Sequence, residues 1–153
     1  MKTILFSLIA FISSSLTASA QLGKTKSECD KTYGKPVKSV ENSTHYSHAG
    51  LKVIIRFNQG KGTAMYIECM TLSAKPLTNI QVSKVLKVQG SGKWKKKRNK
   101  NSNEKEQASV WTQGEGPALV IAMLTQLESD GGISKLRIMT PEGYGEWQKG
   151  AGG

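Results

Sequence analysis

The residues best suited to chemistry in this chain are cations clustered around a tryptophan. Six positive charges and one indole occur within eight consecutive positions, which are Lys93, Trp94, Lys95, Lys96, Lys97, Arg98, Asn99 and Lys100. Such a group would bind phosphates through its charges while the indole stacks on a base or lies at a membrane interface. The same pattern is typical of a solvated edge hairpin whose lysines discourage edge-to-edge pairing. The strand period places Trp94 at a core position, which favours the second interpretation.

Other residue types that catalyse reactions or bind metals lack suitable neighbours. His45 and His48 are three apart, so on a strand they point to opposite faces and do not share a metal. Cys29 and Cys69 have no C-x-x-C spacing and no histidine close by in sequence. The carboxylates show no pairing typical of acid–base catalysis. We therefore expect a non-enzymatic protein with no metal, no cofactor and no small-molecule substrate.

The first twenty residues have the three parts of a secretory signal peptide. Lys2 gives a positive start, Ile4–Ile12 is a short apolar run, and Ala18-Ser19-Ala20 is a small-residue cleavage site before Gln21. We expect residues 1–20 to be removed. No cysteine follows this site to carry a lipid, and no later stretch is long and apolar enough to span a bilayer. The mature protein is therefore expected to be secreted or periplasmic.

The expected export favours a disulfide between the two cysteines, because disulfides persist outside the cytosol. We predict a disulfide between Cys29 and Cys69. It would close a loop of about forty residues and stabilise the fold by roughly 3–4 kcal/mol on the chain-entropy model.

One stretch of the chain occurs twice. Phe57–Thr71 returns as Trp111–Thr125, with an offset of 54 from Gln59 to Gln113. The residues of the first copy that recur unchanged are Gln59, Gly60, Gly62, Ala64, Ile67 and Thr71. Such a repeat indicates a duplicated supersecondary unit. It aligns Cys69 with Met123, so Met123 would make the contact in the second unit that Cys69 makes in the first.

Helix starts repeat at nearly the same offset. Thr25 with Glu28, and Thr78 with Gln81, both have the spacing of a capping box. Gly34 and Gly90 are placed to end the two helices. Two independent features at similar offsets favour duplication of the whole unit.

Alternating apolar and polar residues, as over 51–57, predict strands after each helix. We predict a single α+β domain over residues 21–140. Its two tandem helix-plus-antiparallel-meander units, about 22–72 and 75–140, would form one sheet with the helices packed on one face. Residues 141–153 are rich in glycine and are predicted to form a flexible tail.

The first unit carries the pattern T-x-x-E-C-x-x-x-Y-G-x-P and a Q-G-x-G hairpin. The residues concerned are Thr25, Glu28, Cys29, Tyr33, Gly34, Pro36 and Phe57 to Gly62. This arrangement resembles small exported domains of the SmpA/OmlA (BamE) type and of the β-lactamase inhibitory protein type, over most of residues 22–140. The resemblance implies a helical layer on a curved sheet. Each unit here has one clear helix instead of a pair and there is no lipobox, so outer-membrane assembly and enzyme inhibition are assigned to no residue.

We expect the protein to bind a protein or an anionic polymer of the cell envelope. Its formal charge of +11 favours anionic partners. The contact surface would be the sheet face away from the helices, which in the first unit presents Lys52, Ile54, Arg56, Tyr66, Glu68 and Met70. The alternative is a basic protein that binds nucleic acid or an acidic envelope polymer through Lys93–Lys100.

Overall fold

The structure is a computed structural model that describes residues 22–73, 75–89, 92–97, 106–127 and 132–151. The predicted signal peptide, together with Arg98 and Lys100 of the basic stretch, lies outside these ranges. Within them, every helix is too short or too polar to cross a membrane.

One open antiparallel sheet dominates the described part of the chain, and helices lie against it. The main elements are α1 (Lys26–Tyr33), β1 (Lys38–Val40), β2 (Ser43–His48), β3 (Leu51–Phe57), β4 (Ala64–Thr71), α2 (Asn79–Val88), β5 (Lys95–Lys97), β6 (Glu106–Gln113), β7 (Val120–Leu127), β8 (Ser134–Met139) and α3 (Pro141–Ala151). The eight strands are ordered β1-β2-β3-β4-β8-β7-β6-β5. The predicted mixed α+β class is confirmed.

Both predicted capping boxes are present. The Thr25 amide donates to the Glu28 carboxylate at 2.9 Å, and Thr25 accepts a hydrogen bond from the Glu28 amide in return. Hydrogen bonds that the Thr25 amide, the Thr25 hydroxyl and the Lys24 ammonium group donate to the carboxylate lower the pKa of Glu28 to about 2. Thr78 and Gln81 form the same reciprocal pair at the start of α2. Local sequence therefore determines where both helices begin.

The main core lies between one face of the sheet and the helices α1 and α2. Cys29 of α1 and Val82 and Leu86 of α2 are buried in the same cluster as the sheet residues. The sheet contributes Tyr46, Leu51, Val53, Ile55, Phe57, Ala64, Ile67, Cys69, Ala122, Leu136 and Ile138. Alternation along β3 and β8 places the intervening side chains on the opposite face.

Helix α3 occupies that opposite face, so the prediction of a flexible tail at 141–153 is wrong for residues 141–151, and the prediction of helices on one face only is wrong as well. Tyr144 and Trp147 pack against Met65, Tyr66 and Met139. The helix begins with Thr140, which accepts a hydrogen bond from the Gly143 amide at 3.1 Å, followed by Pro141. A capping threonine followed by proline is a helix-start signal. The three glycines of this segment disfavour a helix, and for that reason the sequence predicted a flexible tail instead.

A bulge in β4 breaks the equivalence of the two repeated hairpins. Arg56 lies opposite Tyr66 but Phe57 lies opposite Ala64, so Met65 is an extra residue. The β6–β7 ladder has continuous register. One inserted residue turns the following side chains to the other face. Cys69 consequently lies in the main core whereas Met123, its partner in the repeat, packs beside Met65 on the α3 face.

We predict that Gly143→Ala loosens α3. A Cβ at this position would overlap the carbonyl oxygen of Met65, which is fixed in β4 by a hydrogen bond from the Thr140 amide. The expected cost is about 1–3 kcal/mol in urea unfolding, with faster amide exchange in α3.

Gly145→Ala is the matched control, because a Cβ there meets no atom within 4 Å. It should stabilise the helix by about 0.5–1 kcal/mol. Equal effects of the two substitutions would show that α3 does not pack closely on β4.

Candidate interaction surfaces

The residues predicted for a partner surface are brought together by strand register. On β3 and β4, Lys52 lies opposite Met70, Ile54 opposite Glu68 and Arg56 opposite Tyr66. Their side chains share the face that carries α3. The structure divides them, however, between a covered part and an open part.

Tyr66 belongs to the covered part. It is 3% exposed, in a cluster with Met65 and Met139 that also contacts Tyr144 and Trp147 of α3. The Arg56 guanidinium lies 5.0 Å from the Tyr66 ring centroid and borders it on the open side. The prediction that Tyr66 is offered to a partner is therefore wrong for this conformation.

A buried polar cluster lies next to Tyr66, and sequence reasoning missed it. Arg137 donates from Nε to Glu68 at 2.9 Å and to the Tyr66 hydroxyl at 3.2 Å. Its Nη1 donates to the Thr125 hydroxyl at 2.8 Å, and the guanidinium lies 5.5 Å from the Trp147 ring centroid. These contacts connect β4, β8, β7 and α3. Because the residues are distant in the chain, their spacing gives no signal, although Thr125 belongs to the repeated hairpin.

Within this cluster, Tyr66 is a neutral hydrogen-bond donor to the Glu68 carboxylate. The Tyr66 hydroxyl donates to Glu68 at 2.8 Å. Burial, followed by the nearby Glu68 charge, raises the pKa of Tyr66 well above its usual range. The phenol therefore remains a neutral donor, and Glu68 is used inside the protein instead of in a partner contact. The cluster is a structural connection between strands.

The open part of this face carries His45, Lys52, Ile54, Arg56 and Met70, which we call the open face. Ile54 is flanked by His45 of β2 on one side and Glu68 of β4 on the other. Partial burial and the charges of Lys52 and Lys38 lower the pKa of His45, so it is neutral at pH 7. The open face thus combines an apolar centre with two cations.

His48 lies on the other side of β2, as the sequence predicts from its spacing with His45. Its ring meets the Tyr33 ring edge-on, with 5.5 Å between the centroids. The two histidines therefore point to opposite faces of the sheet.

A cavity of about 520 Å³ adjoins the open face at Arg56. It lies between the β1–β2 turn, the β3–β4 turn and α3, and Glu41, Asn42, Asn58 and Glu146 are among its lining residues. One guanidinium, two carboxylates and several amides give it mixed charge. A mixed polar cavity of this kind suits the side chains of a protein partner better than it suits an anion.

Residues 95–97 of the basic stretch form the opposite edge of the sheet. Lys95, Lys96 and Lys97 make up β5 and are all exposed. Trp94 points inward, with its indole N–H donating to the Leu86 carbonyl at 2.9 Å and its ring packed on the main core. The solvated-edge interpretation therefore applies to Trp94, and its ring is not free to stack on a ligand.

The two cysteines are buried side chains of the same core cluster, and both thiols are free. Burial, helped by Asp30, raises the pKa of Cys29 to about 11, and burial with Glu68 raises the pKa of Cys69 to about 12. Burial, followed by the electrostatic influence of Cys69 and Cys29, raises the pKa of Tyr33 well above its usual range. Thiols in this state react slowly with oxidants or alkylating agents.

The predicted disulfide therefore has to form before the core closes. We expect the protein folded under oxidising conditions, then denatured without reductant, to be lighter by the two hydrogen atoms lost on oxidation and to resist alkylation. Intact-mass measurement before and after reduction tests this. Alkylation of both Cys29 and Cys69 under the same denaturing, non-reducing conditions would contradict it.

Comparison of the chain with protein-family models, with curated proteins and with solved structures finds no match in any of the three.

Proposed function

We propose that this chain is an exported, non-enzymatic binding protein of the periplasm or extracellular space, and that it contacts a protein partner through the open face. The observation that supports the proposal is the position of α3, which covers Tyr66 and Met139. It leaves Ile54, which lies between Lys52 and Arg56 on β3, and Met70, which lies opposite Lys52, only partly buried. An apolar centre bordered by cations and beside a mixed polar cavity has the composition of an interface.

Residue types on the open face agree with this proposal. Arginine and methionine are enriched at protein interfaces, and an arginine stacked on a tyrosine ring is already oriented before binding. Arg56 has this arrangement above Tyr66. A partner with acidic side chains around an apolar contact would be complementary to Lys52 and Arg56.

Tandem organisation is part of the proposal. Each half of the chain begins with a capping-box helix and continues into four strands of the shared sheet. In this view, units of about 22–72 and 75–140 descend from one ancestor, and the Met65 bulge arose in the first. The resemblance to duplicated exported domains fits this history.

To test the open face, the mature chain would be immobilised and exposed to the envelope fraction of its source. Replacing Lys52 and Arg56 by glutamate should lower recovery of the specific partner at least tenfold, because like charges at an interface cost several kcal/mol.

Lys31→Glu with Lys35→Glu is the control, since both residues are exposed and lie on or next to α1, away from the open face. Equal loss with both double variants would mean that only net charge matters. Undiminished recovery with the open-face variant would overturn the proposal.

The second candidate function is anion binding through Lys93–Lys100, for nucleic acid or an acidic envelope polymer. Its support is that three consecutive lysines of β5 are exposed at a sheet edge. Replacing Lys95, Lys96 and Lys97 by glutamine should shift elution from heparin to clearly lower salt. Replacing Lys31, Lys35 and Lys38 is the matched control, and unchanged elution of the β5 variant would exclude this function.

A further inference from the structure

Helix α2 has two faces of opposite character. Val82 and Leu86 are buried, whereas Ile80, Lys84 and Lys87 are exposed. Spacings of four and three residues place the last three in one line along the helix. Ile80 is 69% exposed, at the N-terminal end of the line that Lys84 and Lys87 continue.

The basic edge strand is joined directly to this helix. The Trp94 indole donates to the Leu86 carbonyl, so the chain entering β5 is held against α2. Lys96 lies with its ammonium group 5.6 Å from the Trp111 ring centroid. Trp111 packs on the main core, on the side of the sheet where α2 lies. We call the combined set of Ile80, Lys84, Lys87, Lys93 and Lys96 the α2–β5 surface.

Positive charge on the α2–β5 surface is not neutralised. Residues 75–97 contain seven lysines and no acidic residue. In the described part of the chain, the cations in ion pairs are Lys24, Lys26, Lys61 and Arg137, all outside this segment. The surface therefore presents exposed positive charge to solvent that none of these ion pairs neutralises.

The chemistry of the surface distinguishes among anionic partners. Binding of single-stranded nucleic acid without sequence preference relies on aromatic rings for stacking. Here the Trp94 ring packs on the main core and Lys96 lies over Trp111. Ile80 has no role on a polyanion backbone, whereas a bilayer would bury it and place the lysines among the head groups.

We propose that the α2–β5 surface docks on an anionic lipid bilayer, with Ile80 inserted at the interface and the lysines bound to lipid phosphates. This goes beyond the proposed function, uses a different surface from the open face and requires no protein partner. The proposed surface differs from the anion-binding alternative through Lys93–Lys100, because it includes the exposed face of α2.

The test is co-sedimentation of the mature chain with vesicles of phosphatidylcholine, with and without phosphatidylglycerol. Binding should require phosphatidylglycerol and weaken with salt. Lys84→Gln with Lys87→Gln should reduce the partition coefficient about thirty-fold, because each lysine near an anionic surface contributes about fivefold. Ile80→Gln should reduce it about tenfold through lost apolar burial.

Lys35→Gln with Lys38→Gln removes the same charge at the other end of the sheet and should change vesicle binding by less than about twofold. Ile80→Gln should leave heparin elution unchanged. Two results would overturn the proposal: equal binding to both vesicle types, or a loss of vesicle binding in the Lys35 and Lys38 control equal to that in the Lys84 and Lys87 variant.

Vesicle binding insensitive to Ile80→Gln would also overturn it and indicate a purely coulombic polyanion site. The open-face variants should bind vesicles normally, so failure of one proposal leaves the other standing.

Discussion

The ion pair between Glu68 and Arg137 lies at the centre of the sheet, where the strands of the two halves of the chain meet. Both side chains are largely buried, at 14% and 12% exposure, and they face each other across β4 and β8. Removing one member of such a pair typically costs about 3–5 kcal/mol, because the other charge stays buried. That is a large share of the 5–15 kcal/mol by which a typical domain is stable. Hydrogen bonds to Tyr66 and Thr125 fix the geometry in which the charges are satisfied.

The same arginine links the sheet to its outer layer. Trp147 lies over Arg137, so α3 contacts the polar cluster as well as the apolar side chains around it. A single residue left unpaired in the ladder with β3, Met65, determines which side chains of β4 reach this layer. Without the bulge, the residues after it would exchange faces, and Cys69 would leave the core that it shares with Cys29.

Local signals in the sequence predicted local structure well. Both capping boxes, the strand alternation on β3 and the inward position of Trp94 depend on neighbours a few residues away. Three features depend on distant parts of the chain and could not be predicted. In the sequence Gly143 indicates a helix break, and only the adjacent Met65 carbonyl explains why glycine is needed there. The alternation of β4 predicts an exposed Tyr66, but α3 covers it. Nothing near Glu68 in sequence indicates its partner Arg137. The bulge also could not be predicted from the repeat. It changes the direction of the side chains that follow it without changing the number of residues, so the offset between the two hairpins stays constant.

Pairing of β4 with β8 has a kinetic consequence. The strand that completes the centre of the sheet is the last of the described strands in chain order, so α1 and β1–β4 can assemble while one edge of β4 has no neighbour. During that interval Tyr66 and Ile67 are exposed on an unpaired strand, which favours association with other chains. Contacts between distant segments also slow folding. The centre of the sheet therefore stays incomplete until β8 pairs with β4.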